Sequence, residues 1–161
     1  MRWTGAFAIF VVAAFAFSAL APFADAKASS AGTSDGAKVD KLVKTIQDYA
    51  DQVKSYKNKI RTGSATKNPA TLKELARHGQ KQAEVADRAK GVFNEIKDMA
   101  KRSPEAKNAL PRAKSIMRDI ATDTTVSEQI LAGVAGVSVS TSILTTMITV
   151  VTQILSLLIF V

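Results

Sequence analysis

The sequence predicts an all-α protein: a small antiparallel helical hairpin or three-helix bundle, followed by a C-terminal hydrophobic membrane helix. Two observations lead to this fold class. In the first charged segment, apolar residues recur at alternating spacings of three and four, the period of a helix that buries one face. Residues 129–161 carry no charged side chain, although the whole chain has a formal net charge of +8. Such a segment is typical of a helix that resides in a lipid bilayer.

Residues 1–26 are predicted to be a cleavable signal peptide. Arg2 precedes an apolar run, and the small residues Ala24 and Ala26 are typical of a signal-peptidase site. The alternative is an uncleaved membrane anchor, because the apolar run is close to the shortest length that spans a bilayer. Cleavage would remove one Arg and one Asp, so the mature chain would keep its net charge of +8. This segment predicts that the protein enters the secretory pathway.

Residues 27–37 are rich in Gly, Ser and Ala and are predicted to be a flexible linker. The following residues, 38–124, are predicted to form one basic, coiled-coil-like helical domain. The chain has no cysteine, whereas disulfides are the usual support of small secreted domains. The domain therefore depends on helix packing, on self-association or on a membrane for its stability.

The first helix of this domain carries the clearest pattern in the sequence. Seven apolar residues follow one another at spacings of 3, 4, 3, 4, 3 and 4, which is an a/d seam over three heptads. Tyr49 and Tyr56 occupy d positions and are predicted to be core residues rather than a stacking platform for nucleic-acid bases. The seven residues of this helix seam are Val39, Leu42, Ile46, Tyr49, Val53, Tyr56 and Ile60.

Two further helices complete the predicted domain. Pro69 starts a second helix that extends to about Lys101, and its seam of small residues allows a close approach to another helix but buries little area. Ser103 is predicted to cap a third helix that begins at Pro104. Residues 122–125 are predicted to be a hinge. The short connections favour antiparallel neighbours, which is the basis for expecting a hairpin or bundle.

The sequence shows no pattern of catalytic or cofactor-binding residues. His78 is the single histidine, and neither a nucleophile elbow, a phosphate-binding glycine loop nor a metal-ligand spacing occurs. His78 is predicted to be a solvated or half-buried residue. The expectation is a protein that is not an enzyme and that has no cofactor or metal. A secretory route also argues against nucleic acid as a partner.

The C-terminal segment 129–161 is longer than one membrane crossing. Residues 143–161 fit a hydrocarbon core of about 30 Å, and the preceding residues form a lead-in of small side chains. Six hydroxyl residues recur at helical spacing and are predicted to form a packing stripe for self-association in the bilayer. Alternatively, each hydroxyl is tolerated in lipid because it bonds the carbonyl one turn back. The stripe comprises Ser138, Ser142, Thr145, Thr149, Thr152 and Ser156.

Three fates of this segment stay open. It is a permanent single-pass anchor, a signal that is replaced by a glycosyl-phosphatidylinositol (GPI) anchor, or a helix that inserts into membranes from a soluble form. Small residues followed by an apolar run are typical of a GPI signal. The attachment residue would then be Gly133, Gly136 or Ser138.

Basic residues near the tail are candidate contacts for anionic lipid headgroups. Each well-placed Lys or Arg would contribute on the order of 1 kcal/mol of binding free energy. The alternative is a solvated helix surface that contacts no lipid. The candidate contacts are Lys101, Arg102, Lys107, Arg112, Lys114 and Arg118.

Taken together, these patterns predict a non-enzymatic, membrane-attached helical protein of the secretory route. It would act by binding or structural assembly at the cell surface or at the membrane of a secretory or vacuolar compartment, with self-association through its helices and with a protein partner that the sequence does not identify. One alternative is a membrane-perturbing or pore-forming secreted protein. The other is a GPI-anchored surface protein whose C-terminal segment is removed.

Overall fold

The chain folds into α-helices wherever its structure is described. The structure is a computed structural model, and it describes residues 34–65, 68–134 and 141–160. Within these ranges there are four helices and no strand, which confirms the predicted all-α class. The predicted signal peptide, residues 27–33 of the predicted linker, and Gly136 and Ser138 lie outside the described residues. The predicted linker extends too far, because residues 35–37 already belong to the first helix, which Ser34 caps. The helices are α1 (Asp35–Ser64), α2 (Pro69–Ala100), α3 (Pro104–Gly133) and α4 (Thr141–Ile159).

Polar side chains cap the first three helices. The Ser34 hydroxyl accepts a hydrogen bond from the Ala37 amide, and the Asn68 side-chain oxygen accepts one from the Ala70 amide, at 3.3 and 3.0 Å. At α3, the Ser103 hydroxyl accepts from the Ala106 amide at 3.4 Å. Each cap satisfies an amide that has no partner within its helix. The predicted starts of α2 and α3 at proline are therefore confirmed.

The helices pack with the contacts of an up-down-up-down bundle. Helix α1 packs against α2 and α3, and α4 packs against α2 and α3 without contacting α1. Lys38, near the start of α1, lies 3.1 Å from Glu95, near the end of α2, so these two helices are antiparallel. The α4 helix therefore belongs to the same helical unit as the three helices before it, whereas the sequence predicted a separate helix after the domain.

The core contains side chains from all four helices. Ile46 and Val53 of α1 pack in one apolar cluster with Phe93 of α2, Met117 of α3 and Ile154 of α4. A second cluster lies toward the other end of the bundle and includes Leu131 of α3 and Met147 of α4. Since α4 contributes to both clusters, its apolar face is part of the core.

The helix seam of α1 faces the inside of the bundle. Val39, Ile46, Val53 and Ile60 are buried, and the other three seam residues, Leu42, Tyr49 and Tyr56, are partly buried. The sequence pattern missed Val43 and Ala50, which are also buried. A helix that contacts two neighbours must bury a wider face than the narrow a/d stripe of a two-stranded coiled coil.

The prediction of a hinge at residues 122–125 is wrong. Helix α3 continues through this segment and ends at Gly133. The hydroxyls of Thr124 and Thr125 donate to the carbonyls one turn back, at 2.7 and 2.9 Å, and Thr124 is fully buried. Thr and Asp have low helix propensity, but packing against α1 and α2 outweighs that preference here.

Candidate functional site

The C-terminal helix α4 is the candidate functional site. It has 19 residues, a mean hydropathy of 2.0 and no charged side chain. Its length is about 28 Å at 1.5 Å per residue, close to the hydrocarbon thickness of a bilayer. By length and composition, it is the one helix in the described part of the chain that could cross a membrane.

One face of α4 is seated in the groove between α2 and α3. Met147, Val150, Ile154 and Leu158 recur at spacings of three and four and are all buried. At Gly79 of α2 an added Cβ would lie 2.6 Å from Leu131 Cδ1 and 3.3 Å from Met147 Sδ. The absence of a side chain at this position lets α3 and α4 approach α2 closely. This contact anchors the N-terminal half of α4.

The predicted hydroxyl stripe lies on the opposite, exposed face of α4. Ser142, Thr145, Thr149, Thr152 and Ser156 are all exposed. From Thr145 onward, each of these hydroxyls donates to the carbonyl one turn back, at distances of 2.7 to 2.9 Å. The donors from Thr145 onward are therefore satisfied within α4 itself, so this part of the face can meet water or lipid without an unpaired hydroxyl. Its role in self-association stays a prediction.

Large apolar side chains are exposed beside the hydroxyls. Ile148 is 51% and Leu155 46% exposed, and Ile159 and Phe160 at the end of the helix are 75% and 80% exposed. Ile148, Leu155 and Ile159 differ by seven and four positions, so they form one stripe along the helix. We name these three residues the α4 apolar stripe. The sequence pattern does not reveal this stripe, because every residue of the tail is uncharged and the stripe is apparent only once the buried face is known.

The predicted headgroup contacts do not form one patch. Lys101 and Arg102 lie in the connection between α2 and α3, and Lys101 forms an ion pair with Asp98 at 2.7 Å. The hydrogen bond from Lys101, together with its charge, lowers the pKa of Asp98. The remaining four residues lie on α3, where Lys107, Arg112 and Arg118 are exposed and Lys114 is partly buried. Around the α3 axis, Arg112 lies on a different side from Lys107, Lys114 and Arg118.

Lys90 of α2 is a polar contact of α4 that the sequence did not identify as one. Its ammonium donates a hydrogen bond to the side-chain oxygen of Gln153 and lies 2.6 Å from Asp87. Lys90 interrupts the run of small residues along α2. The structure explains this interruption, since Lys90 lies at the edge of the surface that α4 covers.

His78 lines an open groove of about 680 Å³ between α1 and α2. The centroid of its ring lies 5.8 Å from that of Tyr56, and the Lys59 ammonium lies 5.4 Å from the centroid of the same Tyr56 ring. Burial, followed by the positive charge of Lys59, lowers the pKa of His78 below 6.5. In the described ranges no cluster of His, Cys, Asp and Glu is suited to hold a metal ion.

A comparison with known protein families, with curated proteins and with solved structures found no match.

Proposed function

We propose that this protein is a non-enzymatic, membrane-attached helical protein that acts by binding or structural assembly at a membrane of the secretory route. The observation that carries the proposal is α4, a charge-free helix of membrane-spanning length that is built into a charged helical bundle. In this proposal α4 attaches the protein to lipid, and the charged helices meet the protein partner.

The hydrogen bonding of α4 supports contact with lipid. A bilayer offers no water to polar groups, so the backbone and hydroxyl groups of a membrane helix must find partners within the protein. The α4 backbone is helical throughout, and Thr145, Thr149, Thr152 and Ser156 donate to its own carbonyls. Transfer of the outward face of α4 from water into lipid would therefore cost little free energy, because these polar groups keep their hydrogen bonds.

The packing of α4 favours a retained helix over a GPI signal. Cleavage at Gly133, Gly136 or Ser138 would remove Met147, Val150 and every other α4 residue of the core. The groove between α2 and α3 would then be uncovered. Large exposed apolar surfaces are unfavourable in water. Retention of the tail would keep this apolar groove covered.

A membrane-binding assay on the full-length protein tests this proposal. An intact mass from a eukaryotic secretory host should show loss of residues 1–26 and retention of residues 141–161. The purified protein should float with lipid vesicles, and Leu155→Asp should abolish flotation because it places a charge among the exposed apolar residues of α4. Gln52→Asp adds the same charge to an exposed position of α1 and should leave flotation unchanged. Absence of flotation of the unmodified protein would refute the proposal.

A membrane-perturbing or pore-forming protein is the second candidate. It is favoured by one observation: α4 has apolar residues on its buried face, such as Ile154, and on its exposed face, such as Leu155. A helix of this kind could leave the bundle and be surrounded by lipid. Release of a dye from liposomes at a low protein-to-lipid ratio would support this candidate, and binding without leakage would support the first.

A further inference from the structure

The α4 apolar stripe lies on the flank of α4 that is nearest α3. Gln153 faces α2, since its side chain accepts the hydrogen bond from Lys90. At about 100° per residue, Ile148, Leu155 and Ile159 lie about 120 to 160° around the axis from Gln153. The stripe therefore points away from α2, on the side of α4 that adjoins α3.

Three basic residues of α3 lie on the side that adjoins α4. Asp123 marks the side of α3 that faces α1, because its carboxylate pairs with Lys57. Lys107, Lys114 and Arg118 lie about 140 to 180° around the α3 axis from Asp123. Since α4 packs against α3 and not against α1, this basic flank is turned toward the side where α4 lies. We name these three residues the α3 basic stripe.

The acidic residues of α3 are concentrated on its other side. Glu105 lies next to Gly36 of α1, and Asp119 and Asp123 line the groove between α1 and α3. Arg112 is only about 20° from Asp123 around the axis, so it belongs to this side as well. Glu128 lies on the α4 side, but it is ten positions, or about 15 Å, from Arg118 along the helix. The half of α3 that adjoins the C-terminal half of α4 is thus basic on one side and mostly acidic on the other.

We propose that the α4 apolar stripe and the α3 basic stripe form one docking surface for an anionic lipid bilayer. The bundle stays closed, and α4 lies along the membrane plane. Ile148, Leu155 and Ile159 enter the boundary between headgroups and acyl chains, and the α3 basic stripe contacts lipid phosphates. This inference rests on the proposed membrane attachment and adds the face, the orientation and the charge of the lipid.

The proposed docking surface would bind lipid through two stripes that lie side by side, the α4 apolar stripe and the α3 basic stripe. Helices that lie in the membrane interface carry an apolar face and a basic face, and both contribute to binding. Anionic leaflets attract each Lys or Arg near the surface, and the attraction acts over about one Debye length. The hydroxyls of Thr152 and Ser156 adjoin the apolar stripe on its other side, where they would face polar headgroups.

An anionic lipid surface fits this face better than a second copy of the chain does. Two copies that paired through the same face would bring two α3 basic stripes together. Like charges at such an interface repel each other, and the whole chain already carries a net charge of +8. The lipid bilayer supplies both an apolar interior and the opposite charge.

Charge reversal on each side of α3 tests the face. The full-length protein is titrated with vesicles of phosphatidylcholine, with and without phosphatidylserine. Lys107→Glu/Arg118→Glu should weaken binding to anionic vesicles at least about tenfold. Lys44→Glu/Arg112→Glu makes the same change in net charge at exposed positions outside this face and should weaken it less than about threefold. Circular dichroism of both variants should match that of the unmodified protein.

A cross-link tests whether the bundle stays closed. The chain has no cysteine, so Lys90→Cys/Gln153→Cys can be bridged by a short bismaleimide that holds α4 on α2. The bridged protein should bind anionic vesicles as tightly as the same variant without the bridge. Loss of binding on bridging would overturn the inference, because α4 would then have to leave the bundle.

The remaining outcomes separate the inference from the proposed function. Equal losses in the two charge-reversal variants, or equal binding to neutral and anionic vesicles, would overturn the docking face while membrane attachment stands. Absence of binding of the unmodified protein to either vesicle would overturn both. A tenfold loss confined to Lys107→Glu/Arg118→Glu, with binding retained after bridging, supports the docking face.

Discussion

Lys57 and Asp123 form an ion pair between α1 and α3, with the ammonium nitrogen 2.6 Å from a carboxylate oxygen. About a fifth of each side chain is exposed, 21% and 19%. The backbone carbonyl of Asp123 also accepts a hydrogen bond from the buried Gln82 side chain of α2, which donates as well to the Val53 carbonyl. Three helices therefore meet at residues 122–125, the segment that the sequence predicted to be a hinge.

Asp123→Ala should destabilise the bundle by about 1 to 3 kcal/mol, because it leaves the partly buried Lys57 without its partner. Urea denaturation followed by circular dichroism measures the change. Asp119→Ala, at an exposed position of the same helix, should change stability by less than about 0.5 kcal/mol. Equal effects of the two substitutions would show that the ion pair contributes nothing specific. Lys57→Met combined with Asp123→Ala should recover part of the loss.

Gly79→Leu should destabilise the bundle by about 1 to 3 kcal/mol, because the new side chain would occupy the space of Leu131 and Met147. Gly91 of the same helix is the matched control. No atom lies within 4 Å of a Cβ added there, so Gly91→Leu should be neutral or stabilising by up to about 0.8 kcal/mol through helix propensity. Thermal unfolding of both variants distinguishes them. A neutral Gly79→Leu would contradict the close packing of α4 on α2.

Stability should fall as the pH is lowered through the range in which His78 titrates. Its pKa in the folded protein lies below 6.5, chiefly because of burial, so the unfolded chain takes up the proton first. The stabilisation from neutral His78 is fully present above about pH 6.5 and is lost as the pH falls toward the lowered pKa. His78→Gln should remove this part of the pH dependence. The measurement is the free energy of unfolding between pH 5.5 and 7.5, and identical pH profiles of the two proteins would contradict the assignment.

Thr145→Val/Thr149→Val/Thr152→Val tests the predicted self-association of the tail. The three residues are exposed, so the replacement should not disturb the core. In a membrane reporter of helix pairing that carries residues 131–161, the native tail should give a clear signal and the triple variant a large loss. Interhelical hydrogen bonds contribute roughly 0.6 to 2 kcal/mol each, so several must act together. A native tail that stays monomeric would leave the hydroxyls as groups tolerated in lipid.

Local patterns were sufficient to predict which segments are helical and that Ser103 caps α3. The spacing of Val39, Ile46 and Val53 specifies a buried face because helix geometry repeats every 3.6 residues. Ser103 and Pro104 mark a helix start because of the chemistry of the first turn. The absence of charge in α4 likewise follows from composition alone, and so does a length and hydropathy that could cross a membrane.

Tertiary packing decided what these patterns left open. Residues 122–125 are helical because Asp123 and Thr124 gain contacts with α1 and α2 that no local propensity contains. Tertiary contacts also decide the orientation of α4. This helix has apolar residues on nearly every side, and its contacts with Gly79 and Lys90 of α2 determine which face is buried. Arg112 and Lys114 are neighbours in the chain but lie on different sides of α3. Sequence alone determined that the protein has basic helices and a charge-free apolar tail, and only the packing of α4 against α2 and α3 decided which basic residues stand beside that tail.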